Sequence, residues 1–221
     1  MKLISKIIVI SSLAYTANAA IVQVSSVPNL NGGSGDYLVV DSTGALLTSG
    51  FAGTGGFSVS DVTVSSLVSN NDYSGLIAAF TPFVGTDDFI LGTSAVLGVV
   101  PGAFTISVDP FNPTSFIGQS IYTFIGNGAT LGSSTEYALF LHSETFTADP
   151  AAPALPNEYY MDLANGTSSI GIFGTKNNVT DENLGITNAT VSTYQLVNAI
   201  PEPSSLLLSI VGLVFLARRK R

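Results

Sequence analysis

The segment Glu136–Thr147, EYALFLHSETFT, is the clearest long strand of the sequence and sets the fold class. Aromatic and aliphatic residues dominate it, and such residues suit the pleated, half-buried surface of a sheet. The preceding segment Phe116–Ile125 is rich in the same residues on both sides of Gly118, and Gly126-Asn127-Gly128 closes it with turn-forming residues. The pattern therefore predicts a strand pair around Gly118, a turn, and then the long strand.

Further short apolar or alternating segments, separated by turn residues, predict a β-rich domain. Asp41-Ser42-Thr43-Gly44 is a predicted turn, and Ala45–Thr48 would form the second arm of a hairpin. About eight to eleven short strands favour a mostly β fold, an antiparallel β-sandwich or a jelly roll. The remaining predicted strands are Ile21–Val27, Tyr37–Val40, Val59–Val68, Gly102–Asp109, Tyr159–Leu163, Ser168–Gly174 and Thr190–Val197.

One short helix is predicted, over Asp72–Val84. Its apolar residues recur at helical spacing, Asn71 or Asp72 can cap its start, and Pro82 should end it. We expect this helix to cover one open end of the sandwich. Gly50–Gly56 is glycine-rich and has no predicted element, while Ala148–Pro156, rich in proline and alanine, is a predicted loop.

The body of the chain, residues 20–200, is strongly acidic. It holds one basic residue, Lys176, against 14 acidic residues, so its net charge is −13, whereas the whole chain carries −8. A domain without a basic surface is not expected to bind nucleic acid or anionic lipid headgroups. The chain has no cysteine, which excludes disulfides, thiolate metal sites and cysteine nucleophiles.

The first 19 residues have the features of a secretory signal peptide. Lys2 and Lys6 give a positive start, Ile7–Ala14 is a short apolar core, and Ala17 and Ala19 form an A-x-A cleavage site. Cleavage after Ala19 would leave a body that begins near Ala20. The sequence therefore predicts export of the body across the inner membrane.

The C-terminal segment combines three features in a fixed order. Pro201-Glu202-Pro203 precedes the uncharged apolar run Ser204–Ala217, and a basic cluster follows, made of Arg218, Arg219, Lys220 and Arg221. As a helix the run would rise about 21 Å, less than the roughly 30 Å of a bilayer core. Local thinning and snorkelling basic residues make such a short span tolerable. The prolines predict an extended segment outside the membrane, and the basic cluster predicts a cytoplasmic end.

This order resembles the PEP-CTERM sorting signal of Gram-negative bacteria, in Pro201, Glu202, Pro203, the apolar run with Gly212, and the basic cluster. The resemblance implies that exosortase, a membrane-embedded cysteine transpeptidase, removes the tail near the motif, with Glu202 as the recognised charge. It also implies a connection with exopolysaccharide production. The segments GFAGTGGFS, GAFTISVDPF and EYALFLHS are similar to uncharacterised PEP-CTERM proteins of verrucomicrobia and related bacteria. An ordinary tail anchor is the alternative.

Two acidic pairs are candidate metal ligands, Asp87-Asp88 and Asp181-Glu182. Both pairs are predicted in loops, and their hard oxygen ligands suit calcium. Neither pair fits the EF-hand spacing or a calcium-binding nonapeptide repeat, so solvated loop carboxylates are the competing interpretation. No other cofactor is expected.

Catalytic residues are not predicted. His142 is the only histidine of the chain, and it lies beside Ser143 in a strand-like segment, where neighbouring side chains point to opposite faces. No G-x-S-x-G motif occurs, and His142 is interpreted as a surface or strand residue. Carboxylate pairs could hydrolyse glycosides, but the body has neither tryptophan nor arginine to line a sugar cleft.

The sequence therefore divides into a signal peptide (1–19), an exported β-rich domain (20–197) and a sorting segment (198–221). The main hypothesis is a non-enzymatic protein of the cell surface or extracellular matrix. Its expected partners are the general secretion machinery, exosortase, the inner membrane during passage, and exopolysaccharide. The alternative hypothesis is a secreted carbohydrate-binding module that calcium could stabilise; a hydrolase is disfavoured.

Overall fold

Fourteen strands and two α-helices make up the part of the chain that the computed structural model describes, residues 20–26, 37–88, 90–94, 98–111, 113–150, 155–163, 169–180 and 190–199. The helices are α1 (Asp61–Ser69) and α2 (Tyr73–Ala79), and short 3-10 turns cover Pro113–Ser115 and Leu131–Ser133. The strands are β1 (Ala20–Ser25), β2 (Tyr37–Val40), β3 (Ser49–Phe57), β4 (Phe80–Asp88), β5 (Ile90–Ser94), β6 (Gly98–Pro101), β7 (Thr105–Phe111), β8 (Ser120–Gly126), β9 (Glu136–Thr145), β10 (Glu158–Asp162), β11 (Ser169–Phe173), β12 (Thr175–Thr180), β13 (Thr190–Gln195) and β14 (Val197–Asn198).

Three sheets and a two-stranded ribbon organise these strands. The central sheet has the order β11-β9-β8-β3-β4, with β14 added beside β9, and all its pairings are antiparallel. A second sheet has the order β10-β1-β7, a third has the order β12-β13-β2, and β5 pairs with β6. The predicted mostly β fold is confirmed, and the arrangement is consistent with a β-sandwich.

Two pairings depart from the antiparallel prediction. β1 pairs in parallel with β10, and β13 pairs in parallel with β2. The partners in each pair lie far apart in the sequence, as parallel strands require a long crossover connection. The antiparallel description therefore holds for the central sheet but not for the two smaller sheets.

The central sheet is buried on both faces. Along β8, Ile121 and Ile125 belong to one core, and the alternating residues Tyr122 and Phe124 belong to another, as the two-residue period of a strand requires. The first core also contains residues of the two smaller sheets, among them Val22, Ile106, Met161 and Tyr194. The second core contains residues of the two helices, among them Val64, Leu76 and Ala79. The central sheet is thus a middle layer between smaller sheets and helices.

The single helix predicted over Asp72–Val84 is partly wrong. It begins where expected, because a carboxylate oxygen of Asp72 accepts a hydrogen bond of 2.7 Å from the backbone N–H of Gly75. It ends at Ala79, however, and the chain then continues as β4 with Pro82 inside the strand. β4 is an outer strand of the central sheet, where a proline is tolerated.

A second helix, α1, occupies the segment Val59–Val68 that the alternation predicts as a strand. The side chain of Ser60 caps it by accepting a hydrogen bond from the backbone N–H of Thr63. Val64 is buried, and Leu67 and Val68 are partly buried against the same core. Their i, i+3, i+4 spacing defines a helical face, so the structure has two helices rather than one. Both helices cover a face of the central sheet instead of an open end.

The glycine-rich segment without a predicted element is β3, an inner strand between β8 and β4. Gly55 lies opposite Pro82 on one side and Tyr122 on the other. A Cβ atom on Gly55 would lie 2.8 Å from Cα of Pro82 and would also contact the carbonyl oxygen of Thr81. The close approach of β4 therefore requires glycine here.

Two smaller predictions are corrected by the structure. Ala45–Thr48 does not form a full hairpin arm, and a single bridge joins Val40 to Leu46. Phe116–Ile125 forms one strand, β8, rather than a pair, because residues 116–118 make a turn with Gly118 at φ +81°. Among the described residues no helix is both long and apolar enough to cross a membrane.

Candidate functional site

Most of the predicted site residues lie outside the described part of the chain. These are the cleavage residues Ala17 and Ala19, the motif Pro201-Glu202-Pro203, the basic cluster 218–221, and the pair Asp181-Glu182. Asp87 and Asp88 are described, and the prediction that they lie in a loop is wrong, because they form the last two residues of β4. Within the described ranges, no three histidine, aspartate or glutamate side chains lie close enough together to hold a metal ion.

His142 lies inside the sandwich, in β9. It is only 2% exposed, and its Nε2 atom lies 2.8 Å from Oγ1 of Thr123 in β8. Oγ1 of Thr123 lies 2.8 Å from Oγ1 of Thr54 in β3. The prediction of a strand position is confirmed, but the side chain is buried rather than at the surface. The imidazole therefore connects three adjacent strands of the central sheet through polar contacts.

The last described residues, 197–199, lie at one end of the central sheet. Val197 of β14 pairs with Tyr137 near the start of β9, and the backbone N–H of Ala199 donates a 2.8 Å hydrogen bond to the carbonyl oxygen of Thr135. Ile200 and the residues beyond it lie outside the described residues. Beside this point lies the connection between β8 and β9, residues 127–135, which we call the exit loop.

Internal hydrogen bonds hold the exit loop in shape. The side-chain oxygen of Asn127 accepts from the backbone N–H groups of Thr135 (2.9 Å) and Glu136 (3.2 Å). The hydroxyl of Tyr137 lies within hydrogen-bond distance of two carbonyl oxygens of the loop, those of Ser134 and Leu131. Leu131 is buried in the core beneath the helices, so the loop is anchored as well as ordered.

Glu136 directly follows the exit loop, and Asp41 is the sequence neighbour of Ser42, which contacts Glu136; both carboxylates are engaged in hydrogen bonds. Glu136 accepts from the backbone N–H of Ser42 (2.9 Å) and from its hydroxyl (2.6 Å). One oxygen of Asp41 accepts from the hydroxyl and the N–H of Thr43 and from the N–H of Ala45. The Thr43 hydroxyl, with help from these N–H groups and against a desolvation effect, lowers the pKa of Asp41. The exit loop itself contains no charged residue.

The outer face of the β10-β1-β7 sheet carries a second feature, a row of side chains from three strands. Tyr160 is 56% exposed and lies beside Gln23, which lies beside Ser107 in the next strand. Tyr159 and Met161 on either side of Tyr160 are buried in the core. An exposed ring next to an amide and a hydroxyl can stack on a sugar and hydrogen-bond to its hydroxyls. The alternation of apolar and polar residues in β1 and β7 is a sequence signal for Gln23 and Ser107, but Tyr160 lies between two apolar residues and has no such signal.

A third polar group joins α1 to the central sheet. One oxygen of Asp61 accepts from the hydroxyl of Tyr122 and the other from the hydroxyl of Ser120, each at 2.8 Å. Burial, together with the hydrogen bond to Asp61 and its negative charge, raises the pKa of Tyr122. The phenol therefore stays protonated and keeps donating, which makes this contact a structural one.

The carboxylates of Asp41 and Glu144 are expected to affect the stability of the fold in opposite ways as the pH changes. Asp41 has a pKa below its ordinary 3.8, so its contribution is present above that value and is lost as the pH falls through the lowered pKa. Burial raises the pKa of Glu144 above its ordinary 4.5, so its protonated form favours folding, and that contribution is lost as the pH rises through the raised pKa.

We therefore expect Asp41→Asn to lower the urea midpoint at neutral pH, and Glu144→Gln to raise it. Both effects should shrink at acid pH, where the native carboxyls are also neutral. Urea unfolding of the two variants and the unchanged protein between about pH 3 and pH 7 measures this. Parallel curves for all three proteins would contradict the assigned hydrogen bonds and burial.

Comparison with known proteins identifies no relative: no protein-family model, no curated protein and no solved structure matches this chain.

Proposed function

We propose that this chain is an exported, non-enzymatic protein of the cell surface or extracellular matrix. In this proposal a signal peptide directs export, and the segment 198–221 holds a precursor in the inner membrane. An exosortase then cleaves near Pro201-Glu202-Pro203 and releases the body or transfers it to another anchor. Exopolysaccharide is the proposed environment of the mature body.

The order of motif, apolar run and basic cluster in residues 201–221 is the observation that carries the proposal. The position of Ala199 supports it, because this residue is still hydrogen-bonded to the body just before the motif begins.

The first experiment is mass spectrometry of the intact protein from its native host. The proposal expects a mature chain that begins near Ala20 and ends between Pro201 and Ser204, without the basic cluster. A chain that retains Arg221 would instead indicate a simple tail anchor, and processing by exosortase would be ruled out.

Glu202→Ala is expected to leave an uncleaved, membrane-held precursor. The carboxylate is the only charge between the body and the basic cluster, so it is the feature that a processing enzyme can recognise electrostatically. Immunoblots of membrane and secreted fractions measure the ratio of precursor to product. Glu158→Ala, which removes an exposed carboxylate from β10, is the matched control and should be processed normally. Equal processing of both variants would refute the role of Glu202.

A second candidate function is carbohydrate binding, and the exposed row Tyr160, Gln23 and Ser107 favours it. A neutral polysaccharide suits this row, because the acidic body would repel an anionic one. We expect Tyr160→Ala to weaken binding to an immobilised neutral glycan roughly tenfold, the loss typical of one stacking ring. Val62→Ala, which truncates an exposed side chain on α1, should leave binding unchanged.

Calcium enters this second proposal only as a stabilising ion. A rise in melting temperature on adding calcium, reversed by a chelator, would support a bound ion. No glycan binding and no response to calcium would together favour a structural matrix role.

A further inference from the structure

We propose that the exit loop, residues 127–135, faces the membrane and rests against lipid headgroups in the anchored precursor. This inference rests on the sorting function proposed above. It adds the surface by which the folded body meets the bilayer and the orientation of the body on it.

The length of the tether carries the inference. Ala199 is held to Thr135 by a 2.8 Å hydrogen bond, and the apolar run begins at Ser204, so only residues 200–203 separate them. Four residues span at most about 14 Å, even fully extended. The apolar run is itself shorter than a bilayer core is thick, so it has no spare length to add to the tether. The end of the body that carries Ala199 must therefore stay close to the lipid surface.

The opposite end of the body is kept away from that surface. β9 begins beside the exit loop and runs for ten residues, a length of about 30 Å. At its far end, the backbone N–H of Gly118 donates a 2.8 Å hydrogen bond to the carbonyl oxygen of Phe146. Ala20 belongs to this far end, because it pairs with Phe111, whose ring packs 5.5 Å from that of Phe146. In the anchored precursor, the exit loop therefore lies nearest the membrane surface, and the start of β1 lies farthest from it.

The exit loop has the chemistry that contact with headgroups requires. Its nine residues carry no charge, although the body as a whole carries −13. Carboxylates facing an anionic leaflet would be repelled over a Debye length of about 8 to 10 Å. The exposed residues of the loop are small and polar or alanine, namely Ala129, Thr130, Gly132, Ser133 and Thr135. The carboxylate of Glu136 accepts hydrogen bonds from Ser42, and that of Asp41 accepts them from Thr43 and Ala45 in its own turn, so neither charge lies in the loop itself.

A single cysteine label tests the orientation, because the native chain has none. Gly132→Cys places the label in the exit loop, where the nearest atom to a new Cβ is Oγ1 of Thr130 at 4.0 Å. Ile117→Cys, at a half-exposed position beside Gly118, is the matched label at the far end. Each precursor, residues 20–221, is reconstituted into phosphatidylglycerol–phosphatidylethanolamine vesicles that contain a headgroup-linked quencher.

We expect quenching at Gly132→Cys to exceed that at Ile117→Cys by roughly twofold or more, as the 14 Å tether and the 30 Å strand require. Equal quenching at both positions, or none at the loop, would overturn the inference and leave the sorting function standing. Failure of the precursor to float with the vesicles would overturn the membrane-held intermediate and this inference together.

A charge test separates the membrane from the processing enzyme as the partner of the loop. In the native host, Gly132→Glu should slow tail removal roughly threefold or more by bringing a carboxylate within a Debye length of the leaflet. Ile117→Glu should not slow it. Inserting about ten glycine and serine residues after Ala199 should restore the rate of Gly132→Glu, because the longer tether lifts the body away. Slow processing that the insertion does not restore would mean that the loop contacts the enzyme, and normal processing of Gly132→Glu would overturn the inference.

Discussion

Gly55→Ala is expected to lower the free energy of unfolding by about 3 kcal/mol, the upper range for forcing an atom into a closely packed site. The new Cβ would lie 2.8 Å from Cα of Pro82 and would press on the carbonyl oxygen of Thr81. Both contacts are with the backbone of β4, which cannot move aside by changing a rotamer. To remove this steric overlap, β4 would have to move away from β3, and the hydrogen bonds between the two strands would be lost.

Gly132→Ala is the matched control for this prediction. A Cβ at Gly132 meets only Oγ1 of Thr130, at 4.0 Å, so no atom has to move. Its effect should stay within about 0.5 kcal/mol, with a small gain in stability from the less flexible unfolded chain. Urea unfolding of both variants, followed by circular dichroism, gives the comparison. Equal midpoints for the two variants would show that β4 does not approach β3 as closely as described.

Phe146→Ala is expected to cost about 4 kcal/mol, as full truncation of a buried aromatic residue does. Phe146 is fully buried, and its ring lies 5.2 to 5.5 Å from four other aromatic rings, those of Phe83, Phe111, Phe116 and Tyr159. These rings come from β4, β7, β10 and the turn before β8. The truncation therefore removes the shared contact of elements from two sheets.

Phe146→Leu keeps most of the volume and should cost about 1.5 kcal/mol or less. Ile117→Ala removes a half-exposed apolar side chain only one residue from Phe116, and should change stability by no more than about 0.5 kcal/mol. The expected order is therefore Phe146→Ala, then Phe146→Leu, then Ile117→Ala. A Phe146→Ala variant as stable as Ile117→Ala would mean that the aromatic cluster is not a core.

The strands that the sequence predicts best are those with a clear local pattern of apolar residues and flanking turn residues. β9 is long and apolar, and β1, β2 and β10 lie between turn residues, so local pattern is sufficient. β3 was missed because its glycines serve the approach of a neighbouring strand rather than a local preference. α1 was predicted as a strand because Val62 and Val64 are two residues apart, the spacing of one strand face. The helix cap at Ser60 is the local signal that distinguishes a helix from a strand here.

The candidate sites show a similar division. The proposed sorting segment is a linear pattern, so it could be singled out from the sequence without a fold. The row at Tyr160 depends on three strands that are distant in sequence. Asp87 and Asp88 look like a turn by composition, but pairing with β3 extends β4 through them. Pairing between distant strands is a tertiary effect, and no local propensity contains it.

The parallel pairing of β1 with β10 imposes an order on assembly. β1 is synthesised first, but its partners come much later in the chain. Thr105, which pairs with Ser25, follows it by 80 residues, and Glu158, which pairs with Ile21, follows it by 137 residues. β8 and β9, by contrast, join through a nine-residue loop and can pair as soon as both have emerged. Because non-local pairings form late and slowly, the β8–β9 hairpin should form early, while the edge of β1 that β10 covers stays unpaired. Until β10 is available, the nascent protein is most exposed to aggregation at this edge of its N-terminal strand.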